Sequence, residues 1–424
     1  MNKKEFVYYI LNRLNEAGVD ICVLSLNSTG EIDLSTDVDI ISMNYPIKKV
    51  IKLIKEFARN AGWLLVNVFK HSGAGVQLYF YHSDEYISLD IYSKYWCNEK
   101  IRINFNRNFK TIKNNNYFIP TNESEFKYLL LKRLSKNSIE QKHYERLFAL
   151  ASNIKINNSD ISYYLGEDKS RRIIEYLSNK KKLDPEIINV CFYSMKRKVF
   201  EKFTHLVLNI PRIINRILNP TGIFIVFIGP DGSGKSSLVE AFSDRIQVIF
   251  RNVYIFHWRP MFLPEMILGR NKFNNTNPHQ FKEWTPIFSY IKFIYYLIDF
   301  ILGYYIKILP AKIKSSAIIF DRYYYDFYFD LKRYRLKLPI SLITFFNIII
   351  PKPDLVFSII ADPAIIIRRK NELSLNILQK QNEIITKYFN NNKNSYIVHN
   401  DRTLDITLSE LKIIILKYLE KKFK

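Results

Sequence analysis

The stretch Gly229-Pro230-Asp231-Gly232-Ser233-Gly234-Lys235-Ser236-Ser237 decides how the rest of the chain is read. Its spacing fits G-x-x-x-x-G-K-[ST], in which backbone N–H groups cradle phosphates. Glycine is scarce, 12 of 424 residues, yet Gly222, Gly229, Gly232 and Gly234 gather here. Without a Cβ, these positions let N–H groups turn inward on an anion. In such a loop the lysine, Lys235, reaches the β- and γ-phosphates and the hydroxyl of Ser236 ligates Mg²⁺. The expected nucleotide-binding set is therefore Gly229, Asp231, Gly232, Ser233, Gly234, Lys235, Ser236 and Ser237.

The flanks agree with the loop. Ile223 to Ile228 is a continuous apolar run, the pattern of a strand buried on both faces. Leu238, Val239, Phe242 and Ile246 recur at helical spacing. Strand, loop and helix in that order put a helix N-terminus under the phosphate.

Outward from the loop, strands alternate with helices, which predicts a parallel sheet covered on both sides. Val253 to Phe256 leads into His257-Trp258-Arg259-Pro260, and Ala317 to Phe320 ends in Asp321-Arg322-Tyr323. Asp354 to Ile360 ends near Asp362-Pro363 and is followed by Arg368, Arg369 and Lys370. Ser395 to Val398 is the last strand, before a closing helix from Ile406. In open α/β sheets the ligand lies beyond the carboxyl ends of the strands. Arg259, Asp321, Arg322 and the Arg368–Lys370 cluster should then converge on the loop. Phosphoryl transfer needs positioning and charge neutralisation above all. A strand-end aspartate can hold Mg²⁺ through water, and arginines can grip phosphate oxygens bidentately.

This pattern resembles the thymidylate kinases. Their loop reads G-x-D-G-x-G-K-[ST], here with Asp231, and their D-R-Y/F motif is matched by Asp321-Arg322-Tyr323. A P-D-L strand start is matched by Pro353-Asp354-Leu355, and an arginine-bearing lid by Arg368-Arg369-Lys370. The resemblance covers residues 221–424 and implies ATP and Mg²⁺ as cofactors. It implies catalytic roles for Lys235, Asp321, Arg322, Arg368 and Arg369. It implies acceptor contacts from Asp231, Arg259, Arg322 and Tyr323, and a metal site on Ser236 and Asp321. The chain departs from the family in its acceptor half. The R-E-P-G segment is replaced by His257-Trp258-Arg259-Pro260, the lid is short, and a long aromatic helix lies between Pro278 and Lys314. That combination is similar to the thymidylate-kinase-like proteins of bacterial surface-polysaccharide gene clusters, as are Asp330 to Arg335 and Arg369 to Glu372. The acceptor stays open between a nucleoside monophosphate and a sugar-containing molecule. A nucleotide-gated binding module with little turnover is the competing class.

The first part of the chain reads as α+β. Asp37 and Asp39 sit in one strand-like run, so both carboxylates share a face, and Asp90 on a later strand can meet them. Three such carboxylates suit divalent metal and nucleotidyl transfer. The pattern resembles the nucleotidyltransferase superfamily, whose G-S, D-x-D and third D are answered by Asn27-Ser28, Asp37/Asp39 and Asp90. This resemblance implies a possible Mg²⁺ site on Asp37, Asp39 and Asp90, and leaves open a chain that is both kinase and nucleotidyltransferase. The fold class expected is α/β: a C-terminal P-loop NTPase parallel sheet flanked by helices, behind an N-terminal α+β nucleotidyltransferase-like domain with a helical extension. The boundaries expected are 1–112 for the α+β domain, 113–205 for the helical extension and connector, and 206–424 for the kinase domain.

Composition bounds the setting. The formal charge is +23, but the lysines are scattered and no dense basic block is interleaved with aromatics, so nucleic acid is not expected. Cys22, Cys97 and Cys191 lie far apart, as in a reducing compartment. The start, Met1 to Glu5, leads into an amphipathic helix rather than a secretory leader. A cytoplasmic protein is expected. Phe288 to Leu309 is rich in Ile, Tyr, Phe and Leu, but Lys292, Asp299 and Lys307 interrupt it. It reads as a long buried helix rather than a span, with peripheral membrane contact open to it. Expected partners are a small phosphate or sugar acceptor and, as a homodimer, a second copy.

Overall fold

The computed structural model describes residues 1–27, 29–70, 75–92, 95–97, 102–104, 109–152, 159–195, 210–211, 213–264, 282–370, 373–390 and 392–424. Ser28, Pro278, Asn371 and Glu372 of the sequence reading lie outside them. The chain divides into two compact units, Met1–Ile214 with Leu419–Lys424, and Asn215–Tyr418.

In the first unit, α1 (Lys3–Glu16) opens with a capping box. The Asn2 side chain accepts from the Glu5 N–H, and the Asn2 N–H donates to the Glu5 carboxylate. Its inner stripe, Phe6, Val7, Ile10, Leu11 and Leu14, is buried. β1 (Ile21–Val23), β2 (Val38–Ser42), α2 (Ile47–Asn60), β3 (Leu64–Lys70), β4 (Val76–His82) and β5 (Glu85–Tyr92) follow. β6 (Tyr95–Cys97) and β7 (Arg102–Asn104) form a separate ribbon. β8 (Thr111–Asn114) and β9 (Tyr117–Pro120) carry the main sheet past residue 112. That sheet is mixed and seven-stranded, in the order β3-β4-β5-β2-β1-β9-β8. β2 and β5 are parallel, with Asp39 beside Asp90.

The helices expected after residue 113 are α3 (Asn122–Ser135), α4 (Gln141–Ala151), α5 (Ser159–Leu165), α6 (Glu167–Ser178) and α7 (Pro185–Ser194). Leu130, Leu134, Leu147, Ile173 and Leu177 from these helices share one core with Cys22 and Ile41 of the sheet.

The second unit contains β10 (Ile223–Ile228), α8 (Lys235–Ile246), β11 (Val253–His257), α9 (Pro286–Gly303), a π-helical turn (Tyr304–Ile308), α10 (Leu309–Ile313) and β12 (Ala317–Asp321). It continues with α11 (Ile340–Phe346), β13 (Leu355–Ile360), α12 (Pro363–Arg369), α13 (Leu375–Phe389) and β14 (Ser395–His399). The chain closes with α14 (Leu404–Phe423). The five strands form an all-parallel sheet in the order β11-β12-β10-β13-β14. Every residue of β10 is buried, because helices cover both faces. Phe227 meets Phe242 of α8 on one face at 5.6 Å between ring centroids. Phe224, Val226 and Ile228 pack on the other face with Phe293 and Phe300 of α9 and Ile385 of α13. The P-D-L aspartate pins this strand. Asp354 accepts from the Phe224 N–H at 2.7 Å and pairs with buried Lys312 at 2.8 Å.

Chain order explains where a site can form. Later strands lie on both sides of β10, so connections run outward in opposite directions from its carboxyl end. Such a switch point leaves a crevice above the strand, and the glycine loop opens there.

Candidate functional site

The glycine loop joins β10 to α8 and adopts the backbone its sequence demands. Gly229 has φ +151°, and a Cβ there would stand 2.0 Å from the Ile359 carbonyl oxygen. Gly234 caps α8 at φ +87°, and its Cβ would stand 2.4 Å from Asn400 Nδ2. These are places only glycine fills without displacement. Asn400, at the end of β14, donates to the Ser233 carbonyl at 2.8 Å and so pins the loop from the neighbouring strand. Lys235 is buried, and its Nζ donates to the Pro230 carbonyl at 2.5 Å. Burial lowers its ammonium and Arg322 adds to this. Asp231, Asp321 and Asp326 oppose them, leaving it at about 8.

Parallel register sets Asp321 next to the loop. β12 pairs with β10 so that Asp321 stands opposite Phe227, and Arg322 donates its N–H to the Phe227 carbonyl at 2.8 Å. The Ser236 hydroxyl donates to Asp321 Oδ2 at 2.6 Å. Oδ1 of the same carboxylate is buried with no hydrogen-bond partner. Burial by itself raises Asp321, but His257, Lys235, Ser236 and Arg322 outweigh it and bring the carboxyl down to about 2. It is therefore an anion with one satisfied and one open oxygen. Together with a serine hydroxyl, this donor set suits Mg²⁺, which takes one or two carboxylates and completes its shell with phosphate and water. The residues present fit an ATP·Mg²⁺ complex on these grounds.

The arginine of the same motif is held by two carboxylates. Arg322 is buried, has φ +75°, and its guanidinium bridges Asp231 of the loop and Asp326. Arg333 binds the other oxygen of Asp231. Burial would raise the Asp231 carboxyl, but Arg322, Lys235, Arg333 and Lys370 hold it well below the usual carboxylate range. Tyr334 donates to Asp326 at 3.0 Å. This network of Asp231, Arg322, Asp326, Arg333 and Tyr334 forms the wall beside the loop.

The remaining expected residues are placed unevenly. Arg368 and Arg369 are both exposed on the short helix α12, and Arg369 reaches the loop side, donating to the Asn400 carbonyl at 3.1 Å. Ser237 is exposed on the first turn of α8. Tyr323 is fully buried, its ring against Phe224, Phe300 and Phe320 and its hydroxyl on the Pro351 carbonyl at 3.0 Å. Arg259 is buried on Asp299 of α9 at 3.0 Å, with its guanidinium also on the Leu263 carbonyl at 3.1 Å. Its charge thus clamps the chain after β11 to α9.

Sequence reasoning gave no role to Arg333, Asp326, Asn400 or His257. Arg333 and Asp326 lie in irregular 3₁₀ turns, where no periodicity marks them. His257 had a readable signal, since it ends the strand beside β12. It stands opposite Asp321 in register, with Nδ1 3.7 Å from Oδ2.

In the first unit, Asp39 is buried and takes the Lys132 ammonium, along with the Ser25 hydroxyl at 3.0 Å. Burial raises its carboxyl, but Lys132 outweighs this and holds it low. Asp37 accepts from the Ser88 hydroxyl, and burial raises it. Asp90 accepts from the Tyr92 hydroxyl at 3.1 Å. Among the described residues, no group of three or more His, Cys, Asp or Glu is arranged to hold a metal ion.

No protein-family model matches the chain, and no curated protein matches it. A solved structure of thymidylate kinase from Ehrlichia chaffeensis is similar, at 17% identity over 46% of this chain and 98% of that chain, with a TM-score of 0.33.

Proposed function

We propose that the second unit is an ATP-dependent phosphotransferase that moves the γ-phosphoryl group to a nucleoside monophosphate or a sugar-containing acceptor. The observation that carries this reading is the Ser236–Asp321 pair beside the glycine loop, with one carboxylate oxygen left open. The loop amides and Lys235 would hold the β- and γ-phosphates, and Ser236 and Asp321 would hold Mg²⁺. Mg²⁺, when bound, neutralises charge on the phosphates. Asp231, set by Arg322 and Arg333, faces the acceptor side, and Arg368 and Arg369 supply a short lid.

The front unit is read as a degenerate nucleotidyltransferase-like domain that grips substrate, since Asp39 is taken up by Lys132 and Ser25. The second unit resembles the kinase-like proteins of surface-polysaccharide clusters, and the chain is read as working in the cytoplasm.

A panel assay of ADP release tests the kinase reading. Expected is stimulation by one acceptor among dTMP, other monophosphates and glycan precursors. No stimulation by any of them rejects it. A second reading is a nucleotide-gated module with little turnover, favoured by Arg259 and Arg322 being engaged by carboxylates of the chain itself. Rapid multiple turnover with one acceptor excludes that reading.

A further inference from the structure

We propose that the outer face of α9 and the helical turns after it docks on an anionic lipid surface. The rod Pro286–Ile313 is 28 residues long and apolar enough to cross a membrane by length and composition, yet only 39% of its apolar stretch is buried in the protein. Its inner face, with Phe293, Leu297 and Phe300, fills the core beside β10. Ile287, Ile291, Ile294, Ile298, Leu302 and Tyr305 follow each other at steps of three and four and are all exposed, Ile287 at 73%. That spacing is one straight stripe on the side opposite the core. A surface helix ordinarily places polar side chains there, and an uncovered apolar stripe of this length marks an interaction surface.

Charge selects the occupant. Between Trp284 and Phe320 the sequence holds a single carboxylate, Asp299, which is fully buried on Arg259. The exposed charges in that stretch are cationic, Lys314 and Lys307, whose ammonium also donates to the Pro260 and Met261 carbonyls. A second apolar segment packs against the buried side of the helix. Phe346 meets Phe293 at 5.8 Å, and the Lys337 N–H donates to Ser289 at 3.1 Å. This segment exposes Phe345, Ile348 and Ile349 between the exposed lysines 337 and 352, with no carboxylate between them. An uncovered apolar stripe whose exposed charged neighbours are mostly lysines, with Glu283 the exposed acid just ahead of α9, matches a layer of acyl chains under anionic headgroups. A second copy would set lysine rim against lysine rim. The chain as a whole, at +23, is drawn to the same surface.

The test is flotation of the full chain with phosphatidylglycerol–phosphatidylcholine vesicles and with phosphatidylcholine alone, at low and high salt. Expected is binding to the anionic vesicles, weakened by salt. Binding should fall about tenfold or more in Ile291→Glu with Ile298→Glu, because two apolar contacts are lost. Both positions are exposed, and unchanged circular dichroism confirms the fold. Ile287→Glu, at the most exposed position of the α9 stripe, gives the same direction if the double variant is unstable. The proposal is overturned if the wild type binds no vesicle or if the variants bind as well as it does. It is also overturned if sedimentation shows a dimer that the double variant breaks while vesicles stay unbound. The kinase reading stands or falls separately, since ADP release in solution needs no vesicle.

Discussion

The Ser236 hydroxyl donates to Asp321 Oδ2 at 2.6 Å across the mouth of the glycine loop, while Asp321 Oδ1 is buried without a partner. The pair is poised for a cation that the phosphates of ATP would complete. Asp321→Asn should raise the Mg²⁺ concentration needed for ATP turnover by about 10–100-fold, as expected for a group that orients a metal and its waters. Titrating Mg²⁺ at fixed ATP reads this. An unchanged Mg²⁺ requirement would remove Asp321 from the metal site.

Gly234 and Asn400 interlock more tightly still. A Cβ on Gly234 would meet Asn400 Nδ2 at 2.4 Å, and φ is +87°. Gly234→Ala should cost about 1–2 kcal/mol for the left-handed backbone alone, and further for displacing Asn400 from the Ser233 carbonyl. Urea unfolding measures the stability and calorimetry the ATP affinity, which should fall together. A variant with wild-type stability and affinity would show that the loop is slack.

Two arginines that look alike in sequence should behave differently. Arg259 neutralises Asp299, whose side chain is completely buried. Arg259→Ala should therefore destabilise the fold by about 3–5 kcal/mol, the cost of leaving a buried charge unpaired. Arg333 is less deeply buried and grips Asp231 from the rim. Arg333→Ala should leave stability within about 1 kcal/mol and raise the acceptor KM while the ATP KM stays near wild type. Equal loss of stability in both variants would contradict this division.

The sequence was legible where chemistry is local. Gly229, Gly232 and Gly234 announce the loop, because glycine takes those backbone angles without strain. The apolar runs Ile223 to Ile228 and Leu355 to Ile360 announce buried strands for the same local reason. Asp321 could be anticipated because it ends a strand, and the register opposite Phe227 carries it to the loop. Long-range partners were not legible. Nothing near Arg259 in sequence reveals Asp299, and nothing near Asp39 reveals Lys132. Both pairings depend on helices folding back onto a sheet, a tertiary event that short motifs do not encode. Tyr323 closes the Asp321-Arg322-Tyr323 motif, yet its ring is in the aromatic core, because the left-handed φ of +75° at Arg322 breaks the strand alternation that would otherwise keep it on the side of Asp321.

The buried acid Asp330 gives the fold a pH dependence with a definite sign. Burial raises its carboxyl from the ordinary 3.8 to about 7. Arg322 and Arg333 oppose the rise, while Asp326 and Asp231 add to it. The folded chain thus holds this proton more tightly than the unfolded chain does. The stability it contributes is full below about pH 4 and is lost as pH rises through about 7. Between those limits the loss is about 1.4 kcal/mol per pH unit. Asp330→Asn cannot ionise and should flatten that part of the curve. From roughly pH 5 to pH 8 the wild type should lose about 2–3 kcal/mol relative to the variant. Urea midpoints for both proteins across this range measure the difference. Parallel curves would mean that Asp330 is already ionised in the folded chain, with Arg322 and Arg333 prevailing over burial.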